Sequence, residues 1–162
     1  MEKFIQNLDL SSKGLWFPVA LGTIFLIYIF FMPKRLSWRE IYFIFGTTGY
    51  VAITIDVFLM LNYLDVFDLG HNPQLEGIGD FICYGIIPSC FAVLFLNYFK
   101  QEKKWLYVTF FTILASLSEW LLVQVGYMKL KGWHTWWSIP AFIIVFGFWL
   151  PWQLRLIRGE TK

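Results

Sequence analysis

The sequence predicts an all-α fold: a polytopic membrane protein built as a bundle of five transmembrane helices. The composition is the first reason, because 58% of the 162 residues are hydrophobic and only 15% are charged. A soluble domain of this size cannot bury that much apolar surface. The second reason is that the apolar residues form five separate runs, each close to the length that crosses a hydrocarbon core of about 30 Å. No repeat or linker divides the chain, so residues 1–162 are expected to form one domain.

The five runs are separated by helix-breaking and charged residues. The first run is followed by Pro33, Lys34 and Arg35. We expect the first span to end before them, because proline stops a helix and basic side chains stay outside the hydrocarbon. Pro88 and Pro151 interrupt the third and fifth runs. Residues 1–13 carry an amphipathic pattern that fits either a helix on the membrane surface or a frayed terminus. The predicted spans are 15–32, 41–64, 78–99, 105–127 and 137–154.

The distribution of Lys and Arg predicts the orientation of these spans. The connection after the first span, the connection after the third span and the C-terminal tail hold nine of the thirteen basic residues. Basic residues concentrate on the cytoplasmic side of membrane proteins. We therefore expect the N-terminus outside and the C-terminus in the cytoplasm. The formal net charge of +2 is too small and too dispersed for nucleic-acid binding.

The fourth span carries a stripe of small and polar residues with one carboxylate in it. Spacings of three, four, three and seven residues place the members on one side of a helix. They are Thr109, Thr112, Ser116, Glu119 and Gly126. A carboxylate deep in a membrane is costly and needs a partner or a function.

Asp56 in the second span is the predicted partner of Glu119. Asp56 lies 15 residues from Ile41, and Glu119 lies 14 residues from Trp105, which places both roughly 21–22 Å from the cytoplasmic edge. Two acids at the same level can share a proton or a cation. We therefore predict an outward-accessible proton or cation site. The structural alternative is a neutral Glu119 that bonds to Ser116, to Thr112 or to a tyrosine and holds helices together.

Asp80, Tyr84 and His134 are further candidates for binding a substrate or an ion. Asp80 lies at the outer mouth of the third span, one turn before Tyr84, and either binds a ligand or caps the helix. His134 is flanked by tryptophans and is either an interfacial residue or an acid–base group. A metal site from the acids and His134 is chemically possible. No spacing typical of metal ligands supports it, so we predict neither a metal nor a cofactor.

Three short motifs resemble landmarks of small, uncharacterised five-span membrane proteins of Bacillus-type spore-forming bacteria. They are Gly79-Asp80-x-x-x-Tyr84-x-x-x-Pro88, Glu119 followed by Gly126-Tyr127, and Gly132-Trp133. The resemblance covers most of the chain and implies a protein of the bacterial cytoplasmic membrane, with no activity or catalytic residues attached. The tryptophan-rich sensory proteins are similar in size and span number. Their proline-tryptophan signature after the first span is absent, because Lys34 follows Pro33.

Three functions are open from the sequence. The first is transport or binding of a small solute, an ion or a proton through the outward carboxylates. The second is a non-catalytic subunit or sensor that binds another membrane protein or a second copy of the chain. The third is an intramembrane enzyme acting on lipid, although the serines lack a G-x-S-x-G motif and a lysine partner at membrane depth. The lipid bilayer is the expected partner in all three.

Overall fold

The computed structural model describes residues 10–56, 66–70 and 77–159. Within these residues the chain forms five helices and one pair of short strands. The helices are α1 (Trp16–Phe31), α2 (Trp38–Ile55), α3 (Ile78–Tyr98), α4 (Gln101–Gln124) and α5 (Thr135–Arg158), and the strands are β1 (Phe67–Leu69) and β2 (Met128–Leu130). The mostly helical prediction is confirmed. Residues 57–64 of the predicted second span and residues 1–9 of the amphipathic segment lie outside the described residues.

Three of these helices, α3, α4 and α5, are long and apolar enough to cross a membrane, and α1 is a shorter apolar helix. Large apolar side chains are exposed around the bundle, including Phe31 at 78% and Trp136 at 76%. Exposure of that kind is expected where lipid rather than water is the solvent. These features indicate a membrane protein.

Helix α3 is the centre of the bundle. In its apolar window 61% of the residues are buried, against 22% in α4 and in α5, and α1, α2, α4 and α5 all pack on it. Buried polar groups on α3 tie the neighbours to it. The Ser89 hydroxyl donates to the carbonyl oxygen of Gly85 in α3 at 2.6 Å and lies 2.8 Å from that of Phe45 on α2, and the Asn97 side chain accepts the Arg35 N–H at 2.8 Å.

A π-helical turn lies inside α3, at Phe81–Ile86. Pro88 has no N–H to offer the carbonyl four residues earlier, so the regular α pattern cannot continue through it. The preceding residue adjusts, and the Ile87 N–H bonds to Ile82 five residues back. Such one-turn π segments change which way the side chains around them face, and this one carries Tyr84.

Helix α4 ends at Gln124, three residues before the predicted end of the span. Gly126 adopts a φ of +77°, and the N–H groups of Gly126 and Tyr127 bond back to Val123 and Leu122. This is the Schellman arrangement, in which glycine closes a helix C-terminus in the left-handed region. The predicted span 105–127 ran through Gly126, whereas glycine at this position is the sequence signal for the end of the helix.

The prediction of an all-α fold is wrong at the two loops that were expected to lack regular structure. Strand β1 follows the gap after α2, strand β2 follows α4, and they pair antiparallel with Asp68 opposite Lys129. Asp68 is buried, and its carboxylate forms an ion pair with Lys131 at 2.9 Å. Three-residue strands carry too little alternation to be recognised in a sequence, and these two are far apart along the chain.

Candidate functional site

Asp80 holds the start of α3 against the turn that follows α4. Its Oδ2 accepts the Gly77 N–H at 2.8 Å, and its Oδ1 accepts the hydroxyl of Tyr127 at 3.2 Å. Gly77 is therefore the N-cap, and Asp80 occupies the third helical position instead of the cap. A carboxylate there satisfies an otherwise orphaned N–H and complements the helix dipole. Asp80 thus has a structural task at this end of the bundle.

Asp56 lies at the C-terminal end of α2 and faces the π-helical turn of α3. Its carboxylate accepts a hydrogen bond from the hydroxyl of Tyr84. Asp56 and Asp80 both lie close enough to Tyr84 and Cys83 to interact with them electrostatically. Three of the predicted site residues, Asp56, Asp80 and Tyr84, are therefore brought together. Tyr84, which lies in the π-helical turn, is the residue that interacts with both acids.

Glu119 has a different set of neighbours. The polar groups close to its carboxyl group are Ser138, Trp133 and Thr135, which come from α5 and the turn before it. Trp133 Nε1 also donates to the hydroxyl of Ser138 at 3.0 Å. Glu119 Oε1 is buried and has no hydrogen-bond partner. The contacts of Glu119 thus lie on α5, whereas those of Asp56 lie on α3, so the structure does not show the predicted pairing of the two acids.

Phe67 of β1 lies between these two groups of residues. Its ring stacks on Tyr84 with 6.3 Å between centroids, and it meets the edge of Trp133 at 6.4 Å. Tyr84, Phe67 and Trp133 therefore form an aromatic row that leads from the neighbour of Asp56 to the neighbour of Glu119. Sequence reasoning missed Phe67, because a single aromatic residue in a polar loop has no periodic context.

Thr112 and Ser116 lie on the buried side of α4, together with Ala115 and Leu122. The hydroxyl oxygens of Thr112 and Ser116 are buried without a hydrogen-bond partner, as is Glu119 Oε1. Thr109, which was assigned to the same stripe, is exposed instead. The polar stripe of α4 therefore consists of Thr112, Ser116 and Glu119.

His134 is exposed directly before α5, and its ring meets the edge of Trp137 at 5.4 Å. Its described ring contact is thus aromatic and fits the interfacial interpretation. Across residues 10–56, 66–70 and 77–159, no three His, Cys, Asp or Glu side chains come together in a way that could hold a metal ion.

No protein-family model matches this chain, and no curated protein or solved structure matches it either.

Proposed function

We propose that the chain is a multi-pass protein of the bacterial cytoplasmic membrane, with five spans, the N-terminus outside and the C-terminus in the cytoplasm. The three basic segments that define the cytoplasmic side lie together. Arg158, at the end of α5, pairs with Glu40 at the start of α2 at 2.7 Å. Asn97, near the end of α3, binds the loop between α1 and α2 through the backbone of Arg35 and Pro33. The paired strands belong to the opposite end.

Contacts at the basic end support a membrane boundary there. The Lys34 ammonium lies 4.6 Å from the ring centroid of Trp38, and that of Lys104 lies 4.7 Å from the ring centroid of Phe148. Long cationic side chains beside aromatic rings are typical of the boundary between hydrocarbon and headgroups. Cysteine accessibility at residues 10 and 159 to a membrane-impermeant maleimide tests the orientation in intact cells. Labelling of the position 159 variant from outside would contradict it.

We infer that Glu119 is the ion- or proton-binding group of a transport or binding site in the outer half of the membrane. The observation that carries the inference is the buried, unpartnered Oε1. Leaving a charged carboxylate oxygen in that condition costs several kcal/mol, so the group carries a proton or meets a ligand. One carboxylate with hydroxyl and indole neighbours suits a proton or a monovalent cation better than a divalent metal ion.

Asp56 completes this proposal from the other end of the aromatic row. Tyr84 carries a hydroxyl beside Asp56, and Trp133 and Ser138 provide polar atoms near Glu119. A cation that moves between the two acids would pass the three rings, and the face of an aromatic ring attracts positive charge by about 0.5–2 kcal/mol. The two acids then act in sequence, with no direct contact between them.

Carboxyl titration by infrared spectroscopy, on protein reconstituted in liposomes, tests the site. Glu119→Gln is expected to remove one protonated carboxyl band and any sodium- or pH-dependent shift of it. The matched control is Glu102→Gln, which changes an exposed acid in the turn that opens α4. An unchanged spectrum in the Glu119→Gln variant would refute the proposal.

A second function, a subunit that binds a helix of another membrane protein, is favoured by the outer face of α2. Trp38, Tyr42, Gly46 and Tyr50 follow one another every four residues, and both tyrosines are more than 70% exposed. A groove of about 450 Å³ runs beside Gly46. A glycine notch allows close approach of a helix backbone, and tyrosine hydroxyls can donate to it.

Crosslinking from position 50 in membranes tests this second function. Gly46→Leu should abolish a crosslinked heteromer, whereas Ile113→Phe, a change on the exposed face of α4, should not. A crosslink that forms equally in the Gly46→Leu variant would contradict the α2 interface. A crosslink only between copies of the chain would identify the interface as homomeric and exclude the partner protein.

A further inference from the structure

Two hydroxyls in the polar stripe of α4 lack the hydrogen bond that helical serines and threonines ordinarily make, as does Thr48 on α2. A serine or threonine in a helix ordinarily donates to the carbonyl four residues earlier. Within the described part of the chain, four residues do so at 2.6–2.9 Å: Thr47, Thr54, Ser89 and Ser118. Thr112 and Ser116 do not, although the same bond is available to each, and their hydroxyl oxygens are buried and unpartnered. Thr112 is only 5% exposed.

The hydroxyls of the stripe face the interior of the bundle. The buried side of α4 comprises Val108, Phe111, Thr112, Ala115 and Leu122. An added Cβ at Gly147 of α5 would lie 3.9 Å from Val108, and Ser138 lies beside Glu119. Contacts to α5 therefore lie at Val108, one turn before Thr112, and at Glu119, as expected for an antiparallel pair. Thr112 and Ser116 lie between these two levels, on the side that packs against the neighbouring helices.

The three groups are spaced so that water molecules can link them. Thr112 and Ser116 are four residues apart, and Ser116 and Glu119 are three apart, which is a rise along the helix of about 6 Å and about 4.5 Å. Thr112 Oγ1, Ser116 Oγ and Glu119 Oε1 have no hydrogen-bond partner, so no direct bond joins them. Two hydrogen bonds of about 2.8 Å at the tetrahedral angle of one water molecule span roughly 4.5 Å. One water therefore suits the shorter step and one or two suit the longer, held by oxygens that have no other partner.

We propose that Thr112, Ser116 and Glu119 bind a short file of water in the interior of the bundle, and that this file carries protons between Glu119 and the inner half of the membrane. The proposal rests on the proposed function and names the species that the Glu119 site carries. A hydroxyl can donate one hydrogen bond while it accepts another. A proton that leaves the Glu119 carboxyl group for the first water is therefore matched by one that the last water releases, and no bond to carbon changes.

Proton flux into liposomes tests the water file. The reconstituted full chain is driven by a potassium diffusion potential, and a trapped pH dye reports the rate. Thr112→Val removes the hydroxyl and keeps the shape, and Ser116→Ala removes the other; each is expected to lower the flux about tenfold, because the relay then lacks one hydrogen-bonding station. The matched control, Ser118→Ala, deletes a hydroxyl that already bonds to Leu114 and should change the flux less than about twofold.

Two further variants separate the possible failures. Thr112→Ser keeps a hydroxyl at the same position and should therefore retain the wild-type flux. This result would show that Thr112→Val lowers the flux through the lost hydroxyl and not through a folding defect. Unchanged flux in Thr112→Val and Ser116→Ala, with flux abolished by Glu119→Gln, would overturn the water file and leave the Glu119 site standing. A Glu119 band that titrates in a wild-type chain without proton flux would overturn it as well. If Glu119→Gln changes neither the carboxyl spectrum nor the flux, the proposed function itself is wrong.

Discussion

Gly79 is the position where one added methyl group should do the most damage. A Cβ built at Gly79 would overlap the hydroxyl of Tyr127 and would lie 2.6 Å from Tyr127 Cζ and 2.7 Å from Leu15 Cδ1. Tyr127 has little room to move, because it is only 2% exposed. Gly14 also packs closely on it, since a Cβ built at Gly14 would lie 3.1 Å from Tyr127 Cβ. Forced overpacking of this kind costs about 1–3 kcal/mol. We expect Gly79→Ala to lie at the upper end of that range.

The same geometry predicts a specific rescue. Tyr127→Phe alone should cost about 1 kcal/mol, since Asp80 loses a hydroxyl donor. In the double variant the atom that overlaps most with the new methyl group is gone. The double variant should therefore be more stable than the sum of the two single effects, by about 1 kcal/mol. If Gly79 and Tyr127 were not in tight contact, the changes in the free energy of unfolding from the two substitutions would simply add.

Thermal and denaturant unfolding in detergent, followed by circular dichroism, measures these differences. Gly46→Ala is the matched control, because nothing lies within 4 Å of a Cβ at Gly46. Alanine in an open helical position should be neutral or stabilising by up to about 1 kcal/mol. If Gly79→Ala proved as stable as Gly46→Ala, the packing of Tyr127 against α3 would be wrong.

Three further predictions concern the packing of the helices and the charges at the basic end. Asn97→Ala should lower the free energy of unfolding in detergent by about 2–4 kcal/mol, because a fully buried amide that binds three backbone groups is lost; a loss below about 1 kcal/mol would contradict it. Gly49→Ala should lower the melting temperature, since its Cβ would lie 2.9 Å from Ser89 Oγ, and adding Ser89→Ala should recover part of the loss. Burial alone raises the pKa of Glu40, but hydrogen bonds from Arg158 and from the loop before α2 outweigh it and hold the pKa below the usual 4.5. The stability from these interactions is therefore present above about pH 4.5 and is lost as the pH falls through the lowered pKa; thermal melts from pH 3 to 7 should show this loss in the wild type and a smaller loss in Arg158→Ala, where the bonds from Ser37 remain.

The positions of the helices were predictable because their limits are local. Helix α3 runs from Ile78 to Tyr98, within one residue of the predicted span, since acidic and lysine-rich segments flank it. The strands were not predictable, because β1 and β2 pair across about 60 residues and neither has a pattern of its own. The π-helical turn was not predictable either. Pro88 indicates that the α-helix is interrupted, but whether it kinks or inserts a residue depends on the packing around it.

The sequence predicts the level of the candidate acids along their helices, but it does not predict which side chains they meet. The rise per residue sets how deep Asp56 and Glu119 lie, but the order in which helices surround α3 decides which side chains meet. Asp56 meets Tyr84 of α3, and Glu119 meets Ser138 of α5. The sequence does not give the order of the helices around α3, so it allows both this arrangement and the predicted pairing of Asp56 with Glu119.

The contrast between Asp80 and Glu119 bears most directly on function. Both oxygens of Asp80 accept a hydrogen bond, one from Gly77 and one from Tyr127, so the fold itself accounts for this acid. Glu119 keeps a buried oxygen without a partner, and Thr112 and Ser116 below it do the same. A structural acid would have been satisfied as Asp80 is, because each unsatisfied group costs more in hydrocarbon than at a surface. Three such groups in succession on one helix are explained if a small hydrogen-bonding guest occupies the space between them.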